Sequence, residues 1–503
     1  MDIIPPPAPV SQPPCRKLNL MNTYWATGSP ANRRARSTLT MHETHLPNTE
    51  TTTIAVKLPL VAIEHYMLAD DRAEYPMAFY IRLVLDRLPD REALSRGVAT
   101  ALARHPLLVA TVDAPQGKRR NWSWEQSTRP EILWPGDAPN EAPLDLSRQT
   151  GLRIKAELTA DGALLTFEFH HACCDGLGAL NFIHEVLKAY AVEENREAPA
   201  APSQSLDPAI KRLSARGRFG VGPLRFLIRL PLELLGFLGV LEFLWHRPAA
   251  LVGSIKCQPS LALRARVDSA ETHWPRRYAH EFTEQETKAL RSAASTAGAT
   301  VNDLLVRDLF LTVGQWIDEH APSKRGAHIR VMVPVNLRTD DDGDLSAANV
   351  VAMINLDRRP RRWHNHRRML RVLHWEMAAV KWARLGLTFI RAIQVTHYVL
   401  GKLQLLLAAD KCQATCVLSN LGDPWRKSPL MNSAGRFVAG DVTLQQVEIL
   451  PPIRPLTSLS AGAMSISGRL TVTFHCDRNV LTDEEAKKLL RRYVERLRES
   501  MVS

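Results

Sequence analysis

Paired CxxC spacings are missing from this 503-residue sequence, and its seven cysteines, Cys15, Cys173, Cys174, Cys257, Cys412, Cys416 and Cys476, are an odd, scattered set. They predict neither a zinc framework nor a disulfide scaffold, and so fit a reduced, intracellular protein. A basic start followed by an apolar core is missing too: MDIIPPPAPVSQPPCRK is rich in proline, which argues against a secretory signal and for a cytoplasmic location. Acidic residues fall short of basic ones, 52 against 64, leaving a net charge of +12. That imbalance favours anionic partners, such as phosphates, a nucleotide-bearing cofactor, nucleic acid or an acidic membrane surface, without choosing among them.

Long unbroken apolar runs are also lacking. PLRFLIRLPLELLGFLGVLEFLW, from Pro223 to Trp245, is interrupted by Arg225, Arg229, Glu233 and Glu242 and broken at Pro231. GLTFIRAIQVTHYVLGKLQLLLA, from Gly386, has the same character. Both are expected as amphipathic helices that either pack in the protein or lie on a membrane surface, giving a cytoplasmic protein that is peripheral to a membrane in the second case.

What is present is a globular composition, 45% hydrophobic and 23% charged. The first fifty or so residues, rich in Pro, Thr, Ser and Asn, are expected to be disordered, with Met41 an alternative start. Order begins near Leu58. AFYIRLVLDRL reads as a strand, and PDREALSRGVATALARH as a helix with Leu94, Val98, Ala101 and Leu102 on one stripe. A hairpin follows, with Leu152, Ile154, Ala156 and Leu158 alternating against Arg153, Lys155 and Glu157 up to an Asp161-Gly162 turn. The returning strand ALLTFEFHH leads through HHACCDG into a helix with Leu180, Ile183, Leu187 and Tyr190 on one side.

After the linker ENREAPAAPSQSLDP a similar theme returns. The strand RRYAHEF runs into a helix opened by a Thr283/Glu286 capping box. The chain closes with a hairpin at Ser467-Gly468 and a helix opened by Thr482/Glu485. The expected plan is therefore α/β, with two layered sandwich halves. Residues 1–56 form a disordered N-terminal segment, 57–195 an N-terminal half carrying HHACCDG, 196–275 a linker with the first apolar segment, and 276–503 a C-terminal half.

HHACCDG itself, His170 to Gly176, admits three chemistries: a turn, a metal site or proton transfer. Strand alternation puts His171 on one face with Leu165, Phe167 and Phe169, and His170 on the other with Thr166 and Glu168. Adjacent strand histidines point apart and do not readily share an ion, so no metal is expected. At the end of an apolar stripe His171 is partly desolvated, which holds it neutral and leaves a ring nitrogen free to accept a proton. Taken singly, His171 also suits a satisfied core histidine, Asp175 a helix cap and Gly176 a tight turn. A Cys174–His171 nucleophile is a weaker alternative, because no oxyanion motif accompanies it.

HHxxxDG after a strand, in a chain of two similar halves, resembles the superfamily of thioester-dependent acyltransferases. It includes peptide-synthetase condensation domains, alcohol acetyltransferases, polyketide-associated acyltransferases and bacterial wax ester synthases/diacylglycerol acyltransferases. TVNDLLV, with Asn302 and Asp303, is similar to the ND segment of the wax ester synthase branch, VMVPVNLR to its VPV strand, and LSNLGDP, with Ser419 and Asn420, to the crossover strand near the active site. The resemblance runs from about Leu58 to the C-terminus.

The resemblance implies two chloramphenicol-acetyltransferase-like domains facing each other across a tunnel. His171 would be the general base, His170 and Gly176 supporting residues, and Asp175 the ion-pair partner of Arg338. Asn302, Asp303, Ser419 and Asn420 are candidates for the tunnel wall, with the Asn420 side chain or the Gly176 amide as oxyanion donor. No bound cofactor is implied. The co-substrate would be acyl-CoA or an acyl-carrier phosphopantetheine thioester. The expected activity is transfer of a fatty or other acyl group from CoA to an alcohol. Its alternatives are a free-standing condensation enzyme using a carrier-bound thioester and an amine acceptor, and a non-catalytic lipid-binding relative. The DFGWG motif of the plant enzymes is missing. The basic run RRPRRWHNHRRMLR, Arg358 to Arg371, is expected as a solvated helix end, or as a dock for CoA phosphates, a carrier protein or anionic lipid. Nucleic acid is disfavoured, since Trp363 is the one aromatic in that run.

Overall fold

The computed structural model describes residues 58–113, 122–126, 129–138, 142–194, 212–217, 230–255, 274–324, 326–343, 345–407 and 411–502. The expected disordered segment 1–56 and most of the 196–275 linker lie outside them.

Besides a small three-stranded sheet of Leu58–Pro59, Ser123–Gln126 and Ala110–Asp113, twelve strands among the described residues form two six-stranded sheets. In chain order they are β1 (Ala78–Leu85), β2 (Glu131–Leu133), β3 (Leu152–Thr159), β4 (Gly162–His170), β5 (Tyr278–Glu281), β6 (Ile329–Asn336), β7 (Val351–Arg358), β8 (Cys416–Asn420), β9 (Phe437–Ala439), β10 (Val442–Leu450), β11 (Leu459–Ile466) and β12 (Arg469–Cys476). The first sheet has the order β9-β10-β1-β4-β3-β2 and the second β7-β6-β8-β11-β12-β5. The helices are α1 (Ala62–Asp70), α2 (Arg91–Leu102), α3 (Gly176–Glu194), α4 (Leu230–Trp245), α5 (Glu284–Thr296), α6 (Val301–His320), α7 (His366–Trp382), α8 (Gly386–Gln394) and α9 (Asp483–Val502).

Sequence patterning explains most elements locally. The β3/β4 hairpin turns at Gly162, where φ is +150° and a side chain would strike the Leu85 carbonyl. The Thr283/Glu286 and Thr482/Glu485 boxes both close, each Thr amide donating to the Glu carboxylate at 2.9 Å. Phe167 and Phe169 of β4 pack edge-on against Phe182 of α3, fixing that helix to the first sheet.

Sequence order does not separate the two sheets. β9 and β10 follow four strands of the second sheet in the chain, yet β10 pairs with β1 of the first. Gly462 of β11 makes the junction possible: a Cβ there would lie 1.9 Å from the Ile449 carbonyl oxygen of β10. The polar face of the hairpin is also buried. Arg153 and Glu168 are 1% and 0% exposed and paired at 3.1 Å, with Tyr80 donating to Glu168 at 3.2 Å. Alternation identified the two faces of β3 but not which of them meets water; Leu158, expected on the inner stripe, is 65% exposed where the hairpin runs out of its sheet.

Candidate active site

The returning strand β4 ends at His170, and the ladder continues one step as the His171 amide donates to the Met77 carbonyl at 2.7 Å. Alternation therefore holds through His171. Its ring lies 4.9 Å from that of Phe79, on the aromatic side of the sheet, while His170 faces the other way. His170 Nδ1 accepts from the Ala172 amide at 3.2 Å, which puts its proton on Nε2, 3.4 Å from Asp71 Oδ2. Two adjacent histidines thus have separate partners. Burial would raise the Asp71 carboxyl, but His170 and the Met77 and Arg72 amides outweigh it and hold the group low.

Asp175 caps α3. Its Oδ1 accepts from the Gly178 amide at 2.9 Å, and its Oδ2 accepts from Arg338 Nη1 and the Val350 amide, both at 2.8 Å. Burial pushes the carboxyl up; Arg338 and the two amides more than reverse this and keep it below the usual range. Arg338 also donates to the Ala348 carbonyl at 3.1 Å. The pair therefore clamps the loop before β7 against the start of α3, and both Asp175 oxygens are engaged in that clamp.

Asn349, in that loop, was not singled out by the sequence. Its Nδ2 donates to the carbonyls of His171 and Ala172, both at 2.8 Å, so the loop of the second sheet holds the backbone that carries His171. Only the sequence ANVV marks it, and an asparagine between apolar residues carries no signal until the chain folds. Gly178 lets this loop approach. A Cβ there would lie 3.1 Å from the Ala348 nitrogen and 3.2 Å from its oxygen, backbone atoms that cannot swing aside. Gly178→Ala should lower stability by about 1–3 kcal/mol in urea unfolding, with a fall in turnover as the clamp shifts.

His171, Asp175, Gly176, Leu177, Pro334, Asn336, Arg338, Val351, Met353, Ser419, Asn420 and Leu421 line one cleft of about 130 Å³. By volume it holds about four waters, enough for a reacting centre rather than a whole acyl chain. Two larger clefts, of 370 and 450 Å³, contain none of these residues. His171 Nδ1 is buried, so Nε2 is the nitrogen left for the cleft. Desolvation is the largest influence on the ring; its own carbonyl, Asp175 and Asn349 oppose it, and the pKa stays below the ordinary 6.5. The imidazole is therefore neutral at physiological pH and able to take a proton.

The other candidates fall out as follows. Gly176 opens α3, whose ladder supplies no acceptor for its amide, and Leu421 packs over it with carbons 3.0 and 3.1 Å from where a Cβ would sit. Ser419 and Asn420 line the cleft, but Asn420 Nδ2 donates to Asn302 at 3.3 Å, so Asn302 stands behind it. Neither Asn302 nor Asp303 is among the residues lining this cleft; Asp303 has other partners. It closes a capping box with Thr300, accepting from that amide at 2.9 Å, and lies 2.9 Å from His374 Nδ1, so its carboxylate is committed to the end of α6. Cys173 and Cys174 are fully buried, which pushes both thiols well above their ordinary range and leaves them unreactive.

No protein-family model matches the chain. Two uncharacterized proteins of Mycobacterium tuberculosis, from strains CDC 1551 / Oshkosh and H37Rv, are each 27% identical over 293 residues; the match spans 56% of this chain and 62% of theirs. Among solved structures, the first condensation domain of the CDA synthetase superposes with a TM-score of 0.59 at 15% identity, covering 89% of this chain and 97% of that one. The starter condensation domain of rhizomide synthetase, in complex with C8-CoA and Leu-SNAC, gives 0.60 at 13% identity, covering 89% and 95%. Polyketide synthase associated protein 5 from Mycobacterium tuberculosis gives 0.52 at 14%, covering 88% and 97%. The chain has the condensation-domain fold, two chloramphenicol-acetyltransferase-like α/β sandwiches.

Proposed function

We propose that this protein is an acyltransferase that moves a fatty acyl group from a coenzyme A thioester to an alcohol, with His171 as general base. One observation carries the reading: the desolvated imidazole of His171, its pKa held below the ordinary value, lines the cleft between the two sandwiches. In this scheme Nε2 takes the proton of the acceptor hydroxyl as that oxygen attacks the thioester carbonyl. The tetrahedral oxyanion collapses, the carbon–sulfur bond breaks, and the departing thiolate takes the proton from His171. No covalent enzyme intermediate forms. A base of suitable pKa supplies about 10²- to 10⁴-fold, and holding donor and acceptor in line supplies more.

The rhizomide neighbour's complex with C8-CoA supports a CoA thioester as donor in this fold. The cleft's apolar members, Leu177, Val351, Met353 and Leu421, suit the reacting end of a lipophilic chain. The test compares acyl-CoA with acyl-carrier protein as donor and a long-chain alcohol with an amine as acceptor. Thiol release requiring both acyl-CoA and alcohol is expected; lipid binding without thiol release would contradict the assignment.

The pH profile follows from the lowered pKa of His171. Protonation removes the base, and because its pKa lies below 6.5, the active form persists into mildly acidic solution. The acid limb of kcat/KM should therefore have its midpoint below pH 6.5, a rate plateau holding above it. A midpoint above that value would assign the limb to another group.

A further inference from the structure

Helix α4 lies on the protein with its apolar face outward. Its inner side carries Glu233, which accepts from Thr388 Oγ1 at 2.9 Å and lies 3.6 Å from Arg391, and Gly236, packed on Thr388; both partners belong to α8. Its outer side carries Leu234, Phe237, Leu238, Leu241, Leu244 and Trp245, from 46% to 85% exposed. These positions recur at helical spacing, so they form one stripe. The chain beyond α8 adds Val395, Val399 and Leu400, each at least half exposed. Soluble surfaces rarely keep such a face unless something apolar covers it. Among the described residues no helix is long and apolar enough to cross a membrane, so the face is not one side of a transmembrane span.

Charge at the end of α4 selects the cover. His246, next to Trp245, stacks on His328 at 4.3 Å. His246 also lies 3.3 Å from Asp357, the residue before the Arg358–Arg371 run, so that run begins beside this helix end; burial, Arg359, His246 and Arg362 lower the His328 pKa, against Asp357. Asp357 shares its one negative charge between His246 and Arg330, which holds both its oxygens at 2.6 Å. Arg361 and Arg362 are exposed. The exposed Glu242 lies 3.6 Å from His246. A second copy of a chain with net charge +12 would bring like charges together at this edge, whereas an anionic bilayer would neutralise them.

We propose that the outer face of α4, with Trp245 at its end and the basic run that holds Arg362 beside it, docks on the surface of an anionic lipid bilayer. The leucines and Phe237 enter the acyl boundary, Trp245 sits at headgroup level, and the arginines meet lipid phosphates. α8, beneath α4, packs on β7: a Cβ at Gly386 would lie 2.7 Å from that of Ala352. The neighbours of Ala352 along that strand, Val351 and Met353, line the His171 cleft. One strand therefore separates the docking layer from the site.

Co-sedimentation of the full chain with phosphatidylcholine vesicles, with and without phosphatidylglycerol, tests this. Binding that requires phosphatidylglycerol is expected. Leu234→Glu combined with Leu238→Glu should weaken it at least tenfold without shifting the thermal transition, since both side chains already face solvent. Arg361→Gln combined with Arg362→Gln should abolish the lipid preference with α4 intact. His171→Ala should bind as the parent does, which keeps docking separate from catalysis. The proposal is overturned if no vesicle binds, if both double variants bind like the parent, or if the protein is instead a dimer that the leucine variant dissociates.

Discussion

His171→Ala should lower acyl transfer by about 10²- to 10⁴-fold while leaving a single cooperative unfolding transition. The size follows from what is removed. His171 is the one histidine lining the cleft; Asp175 and Arg338, its charged neighbours there, are bound to each other at 2.8 Å. Fold integrity should survive because the backbone at 171 is held by its ladder bond to Met77 and by Asn349, and neither contact uses the imidazole. Residual turnover would come from donor and acceptor held together, and would lose the acid limb set by this histidine. A variant as active as the parent would transfer the base to another group.

Arg338→Ala is expected to destabilise the protein by about 3–5 kcal/mol, the largest stability effect among these variants. Both partners of the ion pair are largely buried, with side chains 11% and 6% exposed, so removing the guanidinium strands a carboxylate in a dry site. It also takes a donor from the Ala348 carbonyl, in the loop that carries Asn349. Asp175→Asn should also be costly, because the single amide oxygen can accept on the Gly178 side or on the Val350 and Arg338 side but not on both, which leaves its NH2 against a donor. Linkage gives the sign with pH. The folded carboxyl titrates below its unfolded value, so its contribution is full above the unfolded pKa and disappears as pH falls through the folded one. Chemical unfolding at neutral and acidic pH should show the gap between parent and Arg338→Ala narrowing in acid.

Much of the site was legible because it depends on local rules. Alternation along ALLTFEFHH separated the two histidines, and the α3 start explained Asp175 as a cap. What stayed hidden was relational. Nothing in the sequence pattern of Val442–Leu450 says that its strand partner is β1, some 360 residues earlier in the chain. Arg153 and Glu168 read as a polar face, and only the closed fold turns that face into a buried pair. Asn349 gains meaning from the carbonyls it meets 177 and 178 residues away. Asp303 shows the reverse: Thr300 and Asp303 already had capping spacing, a local signal that assigns the carboxylate to the helix end rather than to a tunnel. For α4 the amphipathic stripe was readable, but not the side on which it would lie.

The central claim is that the cleft at His171 joins an acyl group to an acceptor. Purified parent protein and His171→Ala, incubated with acyl-CoA and a long-chain alcohol, should be followed by free-thiol release and mass spectrometry of the organic phase together. The account predicts one ester formed per thiol released by the parent, and near-background levels of both from the variant. Thiol without ester, or ester formed equally by the two proteins, would contradict it.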